Sequence, residues 1–206
     1  MYQVFLGKIS SLSTDHWAEA LSRHAPEGAQ RARWLAGRGL LSRLLAPKPL
    51  PEIIYSEQGK PAFVGDYPLW FSMSQCEDDI ALIISDEGNV GCSLELIRPQ
   101  DNWRTLANAV FSNGEHIELE NETSERQLDA FWRIWTRKEA IVKQRGAHSW
   151  QIVSVDSSAS AAHAVSQCQV GSLSLAVCTA TPFALTTDLI HAADDALAGK
   201  SPTRPE

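Results

Sequence analysis

The stretch from Phe131 to Gly146 reads FWRIWTRKEAIVKQRG and holds the strongest chemical signal in the chain. Leu128, Phe131, Trp132 and Trp135 recur at helical spacing, and the same stripe continues to Glu139 and Lys143. A carboxylate and an ammonium therefore stand where apolar groups belong. Burying charge is costly unless a partner or a metal offsets it. A Glu–Lys pair one turn apart also occurs on ordinary exposed helices, where it contributes a few tenths of a kcal/mol. The aromatic neighbours argue instead that this face is covered.

A second signal lies in Val90–Ile97. Along a strand, Val90, Cys92, Leu94 and Leu96 point one way, and Gly91, Ser93, Glu95 and Ile97 the other. Ser93 and Glu95 thus offer two oxygens from one face, a spacing suited to one hard cation such as magnesium, though equally to a solvated sheet face. Lys60 sits on a turn restricted by Pro61. Arg31 and Arg38 are seven residues apart on one helix face, and arginine forks suit phosphate oxygens.

Composition bounds these readings. The chain has 206 residues, 44% hydrophobic and 21% charged, with seven tryptophans: an ordinary globule with a real core. A net charge of −7 argues against a general nucleic-acid binder. The charge is uneven, with six basic residues between Arg23 and Lys48 and six acidic ones between Glu115 and Asp129. A basic patch on an acidic chain suits a phosphorylated small molecule or an acidic partner. Cys76, Cys92, Cys168 and Cys178 have neither CxxC nor zinc-like spacing, and no leader or membrane-length apolar run is evident. The expectation is a cytoplasmic protein with reduced thiols, and no membrane or nucleic-acid partner.

The elements that must position these residues follow from periodicity and turn chemistry. Tyr2–Ile9 predicts a strand, Gly28–Leu45 a helix ended by Pro47–Pro51, and Ile53–Tyr55 a short strand. Leu69–Ser74, Ile80–Ser85 and Val90–Ile97 read as strands, the last two joined as a hairpin through 86–89. Trp103–Phe111 reads as a helix, then comes an acidic segment, 113–125. The helix 124–145 is expected to open on a Ser124/Gln127 capping box and end at Gly146. Gln151–Val155, Ala164–Val170, Leu173–Cys178 and Phe183–Thr187 suggest an antiparallel sheet.

The order GKPAF, LWFSMSQ, VGCSLELI, then WTRKEAIVK resembles the Sfp-type 4'-phosphopantetheinyl transferases, in their enterobacterial holo-acyl-carrier-protein synthase branch. The likeness runs from about Arg31 to Gly146, with WTRKEAIVK its most specific part. It implies an α+β fold of two similar subdomains with antiparallel sheets and the active site in the cleft between them. The expected units are 1–100 and 101–191, with a disordered tail over 192–206. It implies a monomer that moves the phosphopantetheine arm of coenzyme A onto a serine of an acyl carrier protein, with Mg2+, releasing adenosine 3',5'-bisphosphate.

By the same resemblance Glu139 and Lys143 are the catalytic pair, and Arg31, Arg38, Lys60, Pro61, Ser74, Gln75 and Lys138 contact the coenzyme. Glu95 and Glu139 are metal ligands, joined by Ser93. Arg137, Lys138 or Arg145 would attract an acidic carrier. The residues do not specify whether that carrier serves fatty-acid, polyketide or another pathway.

Three positions depart from the family pattern. FSMSQC puts Gln75 where a histidine is usual and Cys76 where a serine is, and GCSLE puts Ser93 where an aspartate is usual. A serine hydroxyl can ligate magnesium but is neutral. Gln75 donates a hydrogen bond but cannot become cationic. Two classes stay open: a transferase, or a degenerate homologue that binds coenzyme A or a carrier protein without transfer.

Overall fold

The computed structural model describes residues 1–159 and 164–193. Strand β1 (Tyr2–Lys8) leads into short helices α1 (Ile9–Leu12) and α2 (His16–Glu19), then the long helix α3 (Arg31–Leu45). A two-stranded ribbon, β2 (Ile53–Tyr55) and β3 (Pro61–Phe63), precedes β4 (Trp70–Cys76), β5 (Asp79–Ser85) and β6 (Gly91–Leu96). Helices α4 (Trp103–Val110), α5 (Asn113–Glu120) and α6 (Gln127–Arg145) follow, then β7 (Ala164–Val170), β8 (Leu173–Thr179) and β9 (Ile190–Ala192).

The strands form one sheet ordered β4-β5-β1-β9 and another ordered β6-β8-β7. Pairing is antiparallel except between β1 and β9. The fold is α+β, with one long helix against each sheet. Strand β5 explains why. Ile80, Leu82 and Ile84 pack with α3, while Ala81 and Ile83 turn to the core shared by both sheets. On β6, Cys92 and Leu94 join that shared core, and Ala140 and Ile141 of α6 pack behind β8 on Ala176 and Cys178. The alternation expected for Val90–Ile97 is therefore observed, and Ser93 is aimed toward α6.

Four local expectations fail, each for a visible reason. Residues 86–89 do not close a hairpin, because β5 and β6 lie in different sheets; the hairpin is β4–β5, turning at Glu77 with a φ of 51°. Helix α6 opens through a 3-10 turn, Ser124–Arg126, without a side-chain cap. The capping box belongs to α5, where Ser112 and Glu115 exchange hydrogen bonds inside the acidic segment. Residues 149–154 form a 3-10 turn rather than a strand, since Gln151 caps the amide of His148 and only Ile152 is buried. Residues 183–187 are not a strand, because the Ser166 hydroxyl takes up their polar groups, donating to the Phe183 carbonyl and accepting from the Leu185 amide.

Strands also cross the expected division at residue 100. β6 joins the sheet of the second half and β9 joins the first. The expected tail begins inside β9, and Ala193 is fully buried; residues 194–206 lie outside the described residues. The four cysteines are unpaired.

Strand β6 and helix α6 touch with no room to spare. A Cβ on Gly91 would fall 2.1 Å from the Ala140 carbonyl oxygen and 2.4 Å from the Gln144 amide nitrogen. Both are backbone atoms and cannot step aside. Gly91→Ala is expected to cost about 3 kcal/mol, as overpacking does, which in a chain of this size lowers Tm by roughly 6–12 °C. A thermal melt followed by circular dichroism checks this; an unchanged Tm contradicts the close approach.

Candidate active site

A cavity of about 630 Å³ opens between the two halves. Its walls are the Gln58–Pro61 turn, Phe71 to Met73 of β4, Trp135, Glu139 and Lys143 of α6, and the segment after that helix as far as Ile152. Gly146 ends α6 in the left-handed region, φ 67°, which turns the chain into this wall.

The Glu139–Lys143 spacing predicted from the stripe places both side chains on this cavity. The Lys143 ammonium donates to the Met73 carbonyl at 3.0 Å, which ties α6 to β4. Glu139 faces β6, where the Ser93 hydroxyl donates to its Oε1 at 3.2 Å. Burial pushes the Glu139 carboxyl up to about 8, and the Glu95 carboxylate beside it pushes the same way; Lys143 and the Ser93 hydrogen bond oppose them. Two neighbouring carboxylates, with a hydroxyl between their elements, form an all-oxygen donor set suited to a hard divalent cation that keeps part of its water.

Lys60 reaches across the same wall. Its ammonium donates to Asn89 Oδ1 at 3.1 Å and to the carbonyls of Val90 and Gln144, each at 3.0 Å. Burial lowers its pKa to about 8. A second cavity of about 370 Å³ adjoins the first, sharing Pro61 and Met73. Arg38 and Gln75 line it, as does Arg33. The Arg38 guanidinium lies 5.3 Å from the Trp34 ring centre and 5.9 Å from that of Tyr55.

Three residues of the expected set lie elsewhere. Arg31 turns back on the chain before its own helix, donating to the carbonyls of Ser22 and Ala25. Its neighbour Arg33 occupies the cavity instead. Helical spacing and the family resemblance both placed Arg31 with Arg38; in the structure Arg33 and Arg38 line the pocket together. Lys138 is fully buried, paired at 2.8 Å with the equally buried Glu115 and hydrogen-bonded to the Val155 carbonyl. It therefore lines neither cavity and presents no charge to a partner. Arg137 is likewise engaged, by Glu118 and Ser157. Ser74 accepts the Leu94 amide at 3.0 Å, as Ser72 accepts that of Cys92, so these serines stitch β4 to β6.

Among the described residues no helix is long and apolar enough to cross a membrane. A family model described as the 4'-phosphopantetheinyl transferase superfamily matches residues 89–189. The chain is 65% identical over 190 residues to the 4'-phosphopantetheinyl transferase AcpT of Salmonella typhi, covering 92% of this chain and 98% of that one. It is 60% identical over 191 residues to AcpT of Escherichia coli (strain K12), covering 93% and 97%. The 4'-phosphopantetheinyl transferase HetI of a Nostoc species is 31% identical over 147 residues, 66% of this chain and 60% of HetI.

The raised Glu139 carboxyl has a consequence for stability. Without divalent cations the unfolded chain loses this proton near its ordinary value of 4.5, while the folded chain holds it up to about 8. Stability is therefore lost as pH rises through that window. Glu139→Gln removes the loss, so its melting temperature in chelator exceeds that of the unaltered protein at pH 8 and the difference closes below pH 4.5. Melts of both proteins across this range decide it; a constant offset contradicts the raised pKa.

Proposed function

Because this chain belongs to the 4'-phosphopantetheinyl transferase superfamily and is an enzyme of that class, we propose that it transfers the phosphopantetheine arm of coenzyme A to a serine of an acyl carrier protein. One observation carries the proposal. Glu139 and Lys143, one helical turn apart, line a single cavity, and Glu95 stands against Glu139.

The carrier serine hydroxyl attacks the β-phosphorus of coenzyme A. A new P–O bond forms, the bond to the α-phosphate oxygen breaks, and adenosine 3',5'-bisphosphate leaves. Glu139 takes the serine proton, a role suited to a carboxyl whose pKa lies near neutrality. Lys143 and Lys60, both on the cavity, offset the growing charge on the leaving phosphate. A magnesium ion, when held by Glu95 and Glu139 with the Ser93 hydroxyl beside them, would supply further charge for the pyrophosphate. Arg33 and Arg38, with Gln75, serve the phosphorylated adenosine end from the adjoining cavity. The apolar wall of the larger cavity, formed by Trp135, Val142 and Ile152, accepts the pantetheine arm. The absence of a membrane-length helix among the described residues and the unpaired thiols support a cytoplasmic site of action.

Intact mass of an acyl carrier protein, incubated with coenzyme A, magnesium and this protein, tests the proposal directly. The carrier is expected to gain one phosphopantetheinyl group on its serine. Unmodified carrier despite measurable coenzyme A binding establishes instead a degenerate binder, the reading that Ser93 and Gln75 favour. Lys143→Met is expected to lower kcat at least about a hundredfold. Arg33→Ala is expected to raise KM for coenzyme A roughly ten- to hundredfold, the value of a lost charged hydrogen bond, whereas Arg31→Ala leaves KM unchanged. Equal effects of the two arginine variants would overturn the placement of the nucleotide end.

A further inference from the structure

We infer that Ser72 and Ser74 are positioning residues for the transfer, holding the half that binds the nucleotide end of coenzyme A in register with the half that carries the reacting groups. The inference rests on the transferase reading above. The smaller cavity, assigned to the nucleotide end, is lined by α3 with Gln30 before it, by the β2–β3 ribbon and by β4. Glu139 and Lys143 belong instead to α6, which packs on the other sheet. Transfer therefore needs a pyrophosphate anchored in one half to meet side chains of the other.

Strand β6 is where the halves are joined. One edge of it pairs with β8. Along the other edge, positions 90, 92, 94 and 96 are taken in turn by side chains from the first half. Lys60 donates to the Val90 carbonyl, Ser72 accepts the Cys92 amide and Ser74 accepts the Leu94 amide, each at 3.0 Å. At the far end the Leu96 amide bonds the Cys76 sulfur, where it opposes the upward push of burial on that thiol. Ser72, Ser74 and Cys76 share one face of β4, so a two-residue step on one strand meets a two-residue step on the other. A slip of one residue would leave every rung without its partner.

The two serine rungs are sealed from solvent. Ser72 and Ser74 are each 6% exposed, and Cys92 and Leu94 are 0% and 2% exposed, so water does not replace a lost hydroxyl. Alanine at either position leaves a buried amide unpaired, which drives β6 to shift toward another acceptor. The nucleotide cavity lies within one half and keeps its shape. The reacting groups move relative to the pyrophosphate, and a misplacement of about 1 Å costs on the order of a hundredfold in rate.

The test measures steady-state transfer to an acyl carrier protein and calorimetric coenzyme A binding for Ser72→Ala, Ser74→Ala and Ser74→Cys, each below its melting temperature. Both alanine variants are expected to lose at least about tenfold in kcat while Kd for coenzyme A stays within about twofold. Ser74→Cys, whose sulfur can take the amide as Cys76 does, is expected to recover most of the loss. If one alanine variant fails to fold, the other decides. Unchanged kcat in the alanine variants overturns the inference alone. So does a Kd that weakens in step with kcat, the mark of general loosening, or a Ser74→Cys no faster than Ser74→Ala. Absence of transfer by the unaltered protein overturns the transferase reading and takes this inference with it.

Discussion

The contact between β6 and α6 is the constraint on which the site depends. At Gly91 the two backbones approach so closely that no side chain fits between them. This seats the helix directly over the strand, and only then do Ser93 and Glu95 on β6 meet Glu139 on α6. The same seating carries Lys143 one turn further, to β4 and the cavity. Moving the helix outward by one methyl group would separate a carboxylate pair whose chemistry comes from being close.

What fixes the helix about its own axis is a second, hidden ionic arrangement. Lys138 is turned about 100° from Glu139 and is fully buried against Glu115. Glu115 also accepts from the Ser112 amide, the Ser157 amide and the Ser157 hydroxyl, so the buried pair is fully satisfied. A buried pair of this kind adds little net stability, but removing one partner is costly. Its value here is directional. With the ammonium anchored inward, the neighbouring carboxylate has to face β6.

Much of this was legible from the residues. The stripe of Phe131, Trp132 and Trp135 running into Glu139 and Lys143 identified both the buried face and the charged departure from it. The alternation along Val90–Ile97 placed Ser93 and Glu95 on one side correctly. What escaped was set by long-range geometry. Lys138 was expected at the site through the family resemblance, yet a helix turns it about 100° from Glu139, and it is buried against Glu115. Arg31 turns to the carbonyls of Ser22 and Ala25 while Arg33 lines the smaller cavity, a choice set by tertiary neighbours that periodicity cannot resolve. At 151–155, expected as a strand, local capping by His148 and Gln151 prevailed and the segment closed as a 3-10 turn. The box at Ser112 and Glu115 was present as a sequence signature and was masked by the acidity around it.

The hydroxyls of Ser72 and Ser74 join β4 to β6 in place of a backbone ladder. Those two bonds lie beside the cavity and span its two halves. The amide protons of Cys92 and Leu94 therefore exchange with solvent only when the seam itself parts. Their exchange rates form a built-in gauge of how often the cleft opens, separate from the unfolding of either sheet.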